Sequence, residues 1–177
     1  MSPAAGHRVG PSVTAGRSRL VWAGYLAGGW GLAFAAISFY WGSGGTLGAD
    51  TVWGSLGMNP AQRAVLILVV WVTGFLKVLG AQLALALVTR WGTRLPPRPL
   101  AVLGWAAAGL LTLYGGVNVV AEALTATGVV KRSQPVDWKP LLWHLYVWDM
   151  SFLIWGILFG LAAWHFTRSI RGSQSAN

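Results

Sequence analysis

Long apolar runs and short polar segments alternate along this chain of 177 residues. A transmembrane α-helix needs about 20 mostly apolar residues, and four runs satisfy that requirement, at about residues 20–41, 64–88, 100–121 and 141–166. Helix-start signals lie before two of them. Asn59-Pro60 is typical of an N-cap followed by proline in the first turn, and Pro140 lies where the fourth run begins. The pattern predicts an all-α, integral membrane four-helix bundle over residues 20–168.

Basic residues between the runs predict the orientation of the bundle. With four crossings, one side receives Arg8, Arg17, Arg19, Arg90, Arg94, Arg98, Arg168 and Arg171. The other side receives Arg63, Lys131, Arg132 and Lys139. Because cytoplasmic loops carry the excess of Lys and Arg, we expect a multi-pass protein of the cell membrane with both termini in the cytoplasm. Residues 1–19 are expected to form a disordered basic arm, and residues 169–177 a cytoplasmic tail.

The first apolar run follows a basic segment, as the apolar region of a signal peptide does. It is longer than such a region, however, and Leu47-Gly48-Ala49 places a leucine where a cleavage site needs a small residue. We therefore expect the first run to remain in the protein as a membrane span.

Composition supports a membrane location and narrows the chemistry. The chain is 55% hydrophobic and 10% charged, with 12 tryptophans and a net charge of +9; soluble domains carry about 25% charged residues. The tryptophans are typical of an aromatic belt at the membrane surface, with a stacking site for a quinone or sterol as the alternative. The basic residues flank apolar runs, which predicts contact with anionic lipid head groups rather than nucleic acid. The absence of cysteine excludes thiolate catalysis and cysteine-ligated metals.

Similar residues recur at an offset of about 75–78 positions, which indicates an internal duplication. Gly29-Trp30 in the first run matches Gly104-Trp105 in the third, and Phe75-Leu76 in the second matches Phe152-Leu153 in the fourth. Two helical hairpins would then be copies of one another. Because each hairpin has two spans, the copies would share one orientation and be related by an axis along the membrane normal.

Small and polar residues form one stripe along each predicted helix at helical spacing. In lipid, small residues let helices approach closely, so these stripes should face the bundle interior. The first stripe contains Gly24, Gly28, Gly31, Ala35 and Ser38. The fourth contains Asp149, Leu153, Gly156, Gly160 and Ala163. The glycine pairs in them predict packing within one chain, with homodimerisation as the alternative.

The ionisable residues inside the predicted spans lie on the same stripes. A charge within a membrane is costly and is usually paired or functional. We expect Lys77 to pair with Asp149, or with Glu122, because a lysine stem reaches about 10 Å along the bundle to Asp149. The cluster is either a structural charge pair or a polar pocket that opens outward. Its candidate residues are Lys77, Asn118, Glu122, Asp149, His144 and Tyr40.

Motifs for catalysis or cofactor binding are not found in the sequence. His144 and His165 lie 21 positions apart on one predicted helix, about 30 Å, so they cannot share a metal or haem in one chain. No metalloprotease HExxH, phosphate-binding loop or Ser–His–Asp set occurs in a supporting context. We therefore predict no catalytic residue, no metal ligand and no cofactor.

The residues also suggest a family resemblance. Four segments carry it: 37–41 followed by Gly44-Gly45, 74–78, 113–118, and Trp143-His144 with Trp148-Asp149. They resemble a family of small bacterial four-helix integral membrane proteins known only as a domain of unknown function, over about residues 23–168. The resemblance implies a four-helix membrane bundle and no particular activity. It includes four of the polar positions selected by the stripes, Lys77, Asn118, His144 and Asp149.

Three functions remain open at this point. The leading hypothesis is a non-enzymatic polytopic membrane protein that binds or passes a small ligand in an outward-facing polar pocket. The alternative is a structural or accessory subunit of a larger membrane complex, in which the charge pair only stabilises the bundle. The third is a membrane-embedded enzyme acting on lipid or quinone. A homodimer would suit transport, because four spans leave little room for a path in one chain.

Overall fold

The computed structural model describes residues 20–53, 59–131 and 135–174, and all the regular structure within them is helical. The helices are α1 (Val21–Gly42), α2 (Asp50–Trp53), α3 (Pro60–Ala86), α4 (Pro97–Ala126), α5 (Trp138–Trp143) and α6 (Asp149–Gln174). A 3-10 turn, Arg90–Arg94, precedes α4, and a π-helical turn, His144–Trp148, joins α5 to α6. The predicted N-terminal arm lies outside the described residues. The predicted tail begins as helix, because α6 continues to Gln174.

Four helical segments are long and apolar enough to cross a membrane: α1, α3, α4 and the continuous segment Trp138–Gly172. This confirms the prediction of an all-α membrane bundle. The start of α3 is also as predicted, since the Asn59 side chain accepts a hydrogen bond from the Gln62 backbone N–H at 2.9 Å and Pro60 occupies the first turn. The Gln62 side chain accepts in return from the Asn59 N–H at 3.0 Å, which completes a capping box.

The bundle is built from two helical hairpins that meet at its centre. Helix α1 packs along α3, helix α4 packs along α6, and α1 and α6 join the hairpins. The central helices are the more buried. In the most apolar part of α1, 44% of the residues are buried, and in that of the segment Trp138–Gly172, which contains most of α6, 39% are buried, against 17% for α3 and 22% for α4. Most of the apolar surface of α3 and α4 is thus left to face lipid. This pairing fits the predicted hairpins, and the duplication itself stays a prediction.

Small residues bring α1 into contact with its neighbours. Every member of the predicted α1 stripe is buried, from Gly24 to Ser38. A Cβ added at Gly31 would lie 2.7 Å from the Trp155 ring and 3.1 Å from the Ala81 Cβ. The Trp155 indole N–H donates a buried hydrogen bond of 2.8 Å to the Ala27 carbonyl. That bond joins the two central helices at a position where they are in close contact. A larger residue in the α1 stripe would separate them.

The two ends of the bundle differ in their connecting segments. We call the end that carries α2, together with the segment that links α4 to α5, the α2 end. The opposite end, with the start of α1, the turn Arg90–Arg94 and the end of α6, is called the terminal end. The predicted orientation would place the terminal end in the cytoplasm. The sites described below lie at the α2 end or within the bundle.

Candidate functional site

The π-helical turn between α5 and α6 positions the central residue of the site. Its defining hydrogen bond runs from the Asp149 backbone N–H to the His144 carbonyl, five residues earlier. In an α-helix, side chains five residues apart point roughly 140° apart around the axis. The wider π turn instead places both side chains on one side, and the His144 Nδ1 lies 2.7 Å from the Asp149 Oδ2. Such π turns occur frequently at functional sites.

A second carboxylate reaches the same imidazole from helix α4. The Glu122 Oε1 lies 3.8 Å from the His144 Nδ1. One ligand atom from each of Glu122, His144 and Asp149 lies within 4.8 Å of the other two. The cluster is shielded from solvent to different degrees, since the side chain of Asp149 is 4% exposed, that of Glu122 15% and that of His144 28%. We call these three residues the carboxylate–histidine cluster.

Helix α2 covers the cluster and is held there by three consecutive residues. Asp50 forms an ion pair with Lys139 of α5, Thr51 accepts a hydrogen bond of 3.2 Å from the Trp148 indole N–H, and the Val52 carbonyl lies 3.2 Å from the His144 Nε2. The Lys139 ammonium holds the pKa of the Asp50 carboxyl below its usual value. The imidazole is therefore fixed from both sides, by a carboxylate on one nitrogen and a carbonyl on the other.

An open cleft of about 340 Å³ lies beside the cluster. Its lining consists of Val52, Glu122, Pro135, Val136, Asp137, Pro140, Leu141 and His144. Two members of the cluster therefore belong to the cleft wall, while Asp149 lies deeper in the bundle. Asp137 also caps α5, where its side chain accepts a hydrogen bond of 3.3 Å from the Lys139 backbone N–H. Open space therefore borders the cluster at the α2 end, between Val52 of α2 and the start of α5.

Lys77 occupies a different place from the one predicted. Its ammonium donates a hydrogen bond of 2.7 Å to the Ser38 hydroxyl, and it lies 5.7 Å and 5.9 Å from the ring centres of Phe34 and Phe152. The expected ion pair with Asp149 or Glu122 is wrong for this structure: among the described residues, Lys77 makes no such pair. The aromatic rings supply a cation–π environment, and a serine on α1 supplies the hydrogen-bond acceptor.

The remaining predicted site residues do not join the cluster. The Asn118 side chain donates to the Tyr114 carbonyl one turn earlier on its own helix, at 2.9 Å. The Tyr40 hydroxyl accepts from the Leu47 backbone N–H at 3.2 Å, and the Tyr40 ring lies against Gly45. Tyr40 therefore supports the turn after α1. Of the six candidates, the structure brings together Glu122, His144 and Asp149.

The family described as "Protein of unknown function (DUF3995)" matches residues 31–159. The chain belongs to this family. That result confirms the resemblance found in the sequence. No match was found among curated proteins or among solved structures. The matched residues of this DUF3995 protein include Lys77 and the whole carboxylate–histidine cluster.

The cluster of this DUF3995 protein was only partly visible in the sequence. Its three residues were each candidates, but the sequence predicted no metal ligand, because His144 and His165 lie too far apart on one helix to share an ion. Chemically, two carboxylates and one imidazole in a partly desolvated site can bind a cation, because carboxylates attract positive charge more strongly where water is excluded.

Proposed function

We propose that this protein is a multi-pass cell-membrane protein that binds a small cationic ligand from the outer side, in the cleft beside Glu122, His144 and Asp149. The observation that carries the proposal is the convergence of two carboxylates on one imidazole at the wall of an open cleft. Among the residues that the structure describes, no comparable group of side chains supports the accessory-subunit hypothesis or the lipid-enzyme hypothesis.

The distribution of charge along the chain supports a cationic ligand. The chain has 13 Lys and Arg residues and only four acidic ones. All four acids lie at the α2 end: Asp50 in α2, Asp137 at the cap of α5, and Glu122 and Asp149 in the cluster. A cleft lined by one sign of charge raises the local concentration of ions of the opposite sign. Of these four acids, Glu122 and Asp137 line the cleft itself, whereas Asp50 is already paired with Lys139.

The interior below the cluster favours binding over passage. Along the α6 segment, Trp155 and Phe159 are 3% and 0% exposed and fill the space between the central helices. The ammonium of Lys77 lies against Phe152, which is three residues along α6 from Asp149, about 4.5 Å of helix rise. A fixed positive charge opposes the movement of cations through a pore. A cation that enters the cleft would therefore stop at the cluster.

The predicted orientation can be tested without background labelling, because the chain contains no cysteine. We expect Leu47→Cys and Val129→Cys at the α2 end to react with a membrane-impermeant maleimide in intact cells, since both positions are highly exposed. Thr93→Cys, in the turn at the terminal end, should react only after the membrane is permeabilised. The reverse labelling pattern would place the cleft on the cytoplasmic side and contradict the outward-facing part of the proposal.

Cation binding can be tested by thermal unfolding of the purified protein in mild detergent. The probes are choline, ethanolamine, spermidine and divalent metal chlorides, with sodium phosphate and sodium acetate as anion controls. A ligand at 100 times its Kd stabilises the folded state by about 2.7 kcal/mol, which corresponds to a rise in Tm of roughly 5–10 °C for a chain of this size. We expect at least one cation, and neither anion, to produce such a rise.

The matched variants locate the effect. Glu122→Gln should abolish the rise in Tm, whereas His165→Gln, which changes an ionisable residue at the opposite, terminal end of the bundle, should retain it. If no cation raises the Tm of the unmodified protein, the proposed function is wrong. Native mass spectrometry of the same sample provides a second, independent measurement. A second protein that copurifies in fixed stoichiometry, without a small cation, would favour the accessory-subunit hypothesis.

A further inference from the structure

The ligand atoms of the carboxylate–histidine cluster are suited to one class of cation. We infer that Glu122, His144 and Asp149 bind a divalent first-row transition metal ion such as Zn²⁺, an inference that rests on the proposed cation-binding function. An imidazole nitrogen is a preferred ligand of Zn, Cu, Fe and Ni, whereas Ca²⁺ and Mg²⁺ prefer sites built from oxygen alone. One nitrogen and two carboxylate oxygens therefore select against the commonest hard cations.

The spacing of the three groups fits such an ion. Bonds from Zn²⁺ to histidine nitrogen and carboxylate oxygen are about 2.0–2.2 Å long, so two ligands in a tetrahedral site lie roughly 3.4 Å apart. The distances from the His144 Nδ1 to the Asp149 Oδ2 and the Glu122 Oε1 are 2.7 Å and 3.8 Å, on either side of that value. The two carboxylate oxygens are at most 4.8 Å apart, so small movements of the side chains would place all three ligands around one ion.

The second nitrogen of the histidine is already oriented for metal binding. Histidines that bind a metal through one nitrogen usually donate the other N–H to a carboxylate or a backbone carbonyl, which fixes the ring. In this site the Nε2 lies 3.2 Å from the Val52 carbonyl of α2, and the Nδ1 faces the two carboxylates. Metal binding would therefore connect α2, α4 and the π turn through a single ion.

The cleft supplies the remaining coordination position. A metal site with three protein ligands keeps a fourth position for water or another small molecule. Glu122 and His144 line the cleft, and Asp149 closes the site from the bundle side. The ion would therefore be accessible from the α2 end while its protein ligands stay largely shielded.

Direct binding of Co²⁺, used as an optical substitute for Zn²⁺, tests this inference. The protein is purified in mild detergent without a polyhistidine tag, stripped with a chelator and dialysed against Co²⁺. We expect one Co²⁺ per chain with the intense visible absorption of a four- or five-coordinate site, and displacement by Zn²⁺. His144→Gln, Glu122→Gln and Asp149→Asn should each weaken binding at least about 100-fold, the upper end of the loss seen when only an outer-shell partner is changed.

A control variant preserves the specificity of the test. His165→Gln removes a histidine at the terminal end and should bind Co²⁺ as the unmodified protein does. Weak Co²⁺ binding that is unchanged in the three cluster variants would overturn the inference. Loss of Co²⁺ binding in His165→Gln would overturn it as well. If Co²⁺ fails to bind while an organic cation still raises the Tm through Glu122, the metal is wrong and the proposed function stands. If neither binds, both are wrong.

Discussion

Replacing Gly156 by alanine is expected to lower the free energy of unfolding by about 2–3 kcal/mol, because the added methyl group has no space between α4 and α6. A Cβ at position 156 would lie 2.5 Å from the backbone nitrogen of Thr112 and 2.9 Å from its Cα. Backbone atoms cannot rotate away as the end of a side chain can, so the helices must separate. Forcing extra atoms into a packed interior typically costs about 1–3 kcal/mol.

The same contact is formed reciprocally one turn away. A Cβ at Gly115 of α4 would lie 2.7 Å from the Asp149 carbonyl and 2.9 Å from the Leu153 Cα of the α6 segment. Gly115→Ala should therefore destabilise the protein to a similar extent. Both variants should also loosen the carboxylate–histidine cluster, because Asp149 lies directly at the contact. Separation of these two helices would increase the distance between Glu122 on α4 and His144.

Gly160→Ala is the matched control, since Gly160 lies one turn after Gly156 on the same helix. A Cβ there would be 3.8 Å from the Ala108 Cβ, an ordinary contact distance. Alanine also favours helix by about 0.5–1 kcal/mol relative to glycine, so the control should be neutral or slightly stabilising. Reversible unfolding by addition of SDS to detergent micelles, followed by tryptophan fluorescence, provides the measurement. If Gly156→Ala and Gly160→Ala unfold at the same midpoint concentration of SDS, then α4 and α6 do not pack as closely as the distances at Gly156 indicate.

The sequence predicted the interior of this bundle well because small residues carry the signal in lipid. Hydrophobicity does not distinguish the inside from the outside when both are apolar, but close helix contact requires Gly, Ala and Ser. The buried stripe on α1 follows this rule throughout. The rule failed for the second buried face of α6. Trp155 and Phe159 are large and apolar, so in the sequence they could not be distinguished from lipid-facing residues, although they form part of the core.

The candidate site was harder to predict because two features depend on local geometry. At α-helical spacing, His144 and Asp149 lie on different sides of the helix, and nothing in the sequence analysis indicated the π turn that brings them together. The position of Lys77 was misjudged for another reason. Its stem is long enough to reach Asp149, but length alone does not identify a partner, and the Ser38 hydroxyl on the adjacent helix is the acceptor that the packing provides.

Asp149→Ala is expected to destabilise the protein by about 1.5–3 kcal/mol, typical of the loss of a hydrogen bond to a charged group. The Asp149 side chain is 4% exposed and lies 2.7 Å from the His144 Nδ1, so its loss leaves the imidazole without its nearest carboxylate. In a double-mutant cycle with His144→Ala, we expect a coupling energy of about 1.5–3 kcal/mol, typical of a hydrogen bond to a charged group.

The same cycle with Lys77 distinguishes the two arrangements of the charges. If Lys77 paired with Asp149, Lys77→Met would leave a buried acid uncompensated and the two substitutions would be strongly coupled. In the structure Lys77 bonds a neutral hydroxyl, so the effect of Lys77→Met should add to that of Asp149→Ala with a coupling below about 0.5 kcal/mol. Strong coupling to Lys77 with none to His144 would restore the predicted pair. It would also remove the basis for the cation site, because Asp149 would already be neutralised by a lysine.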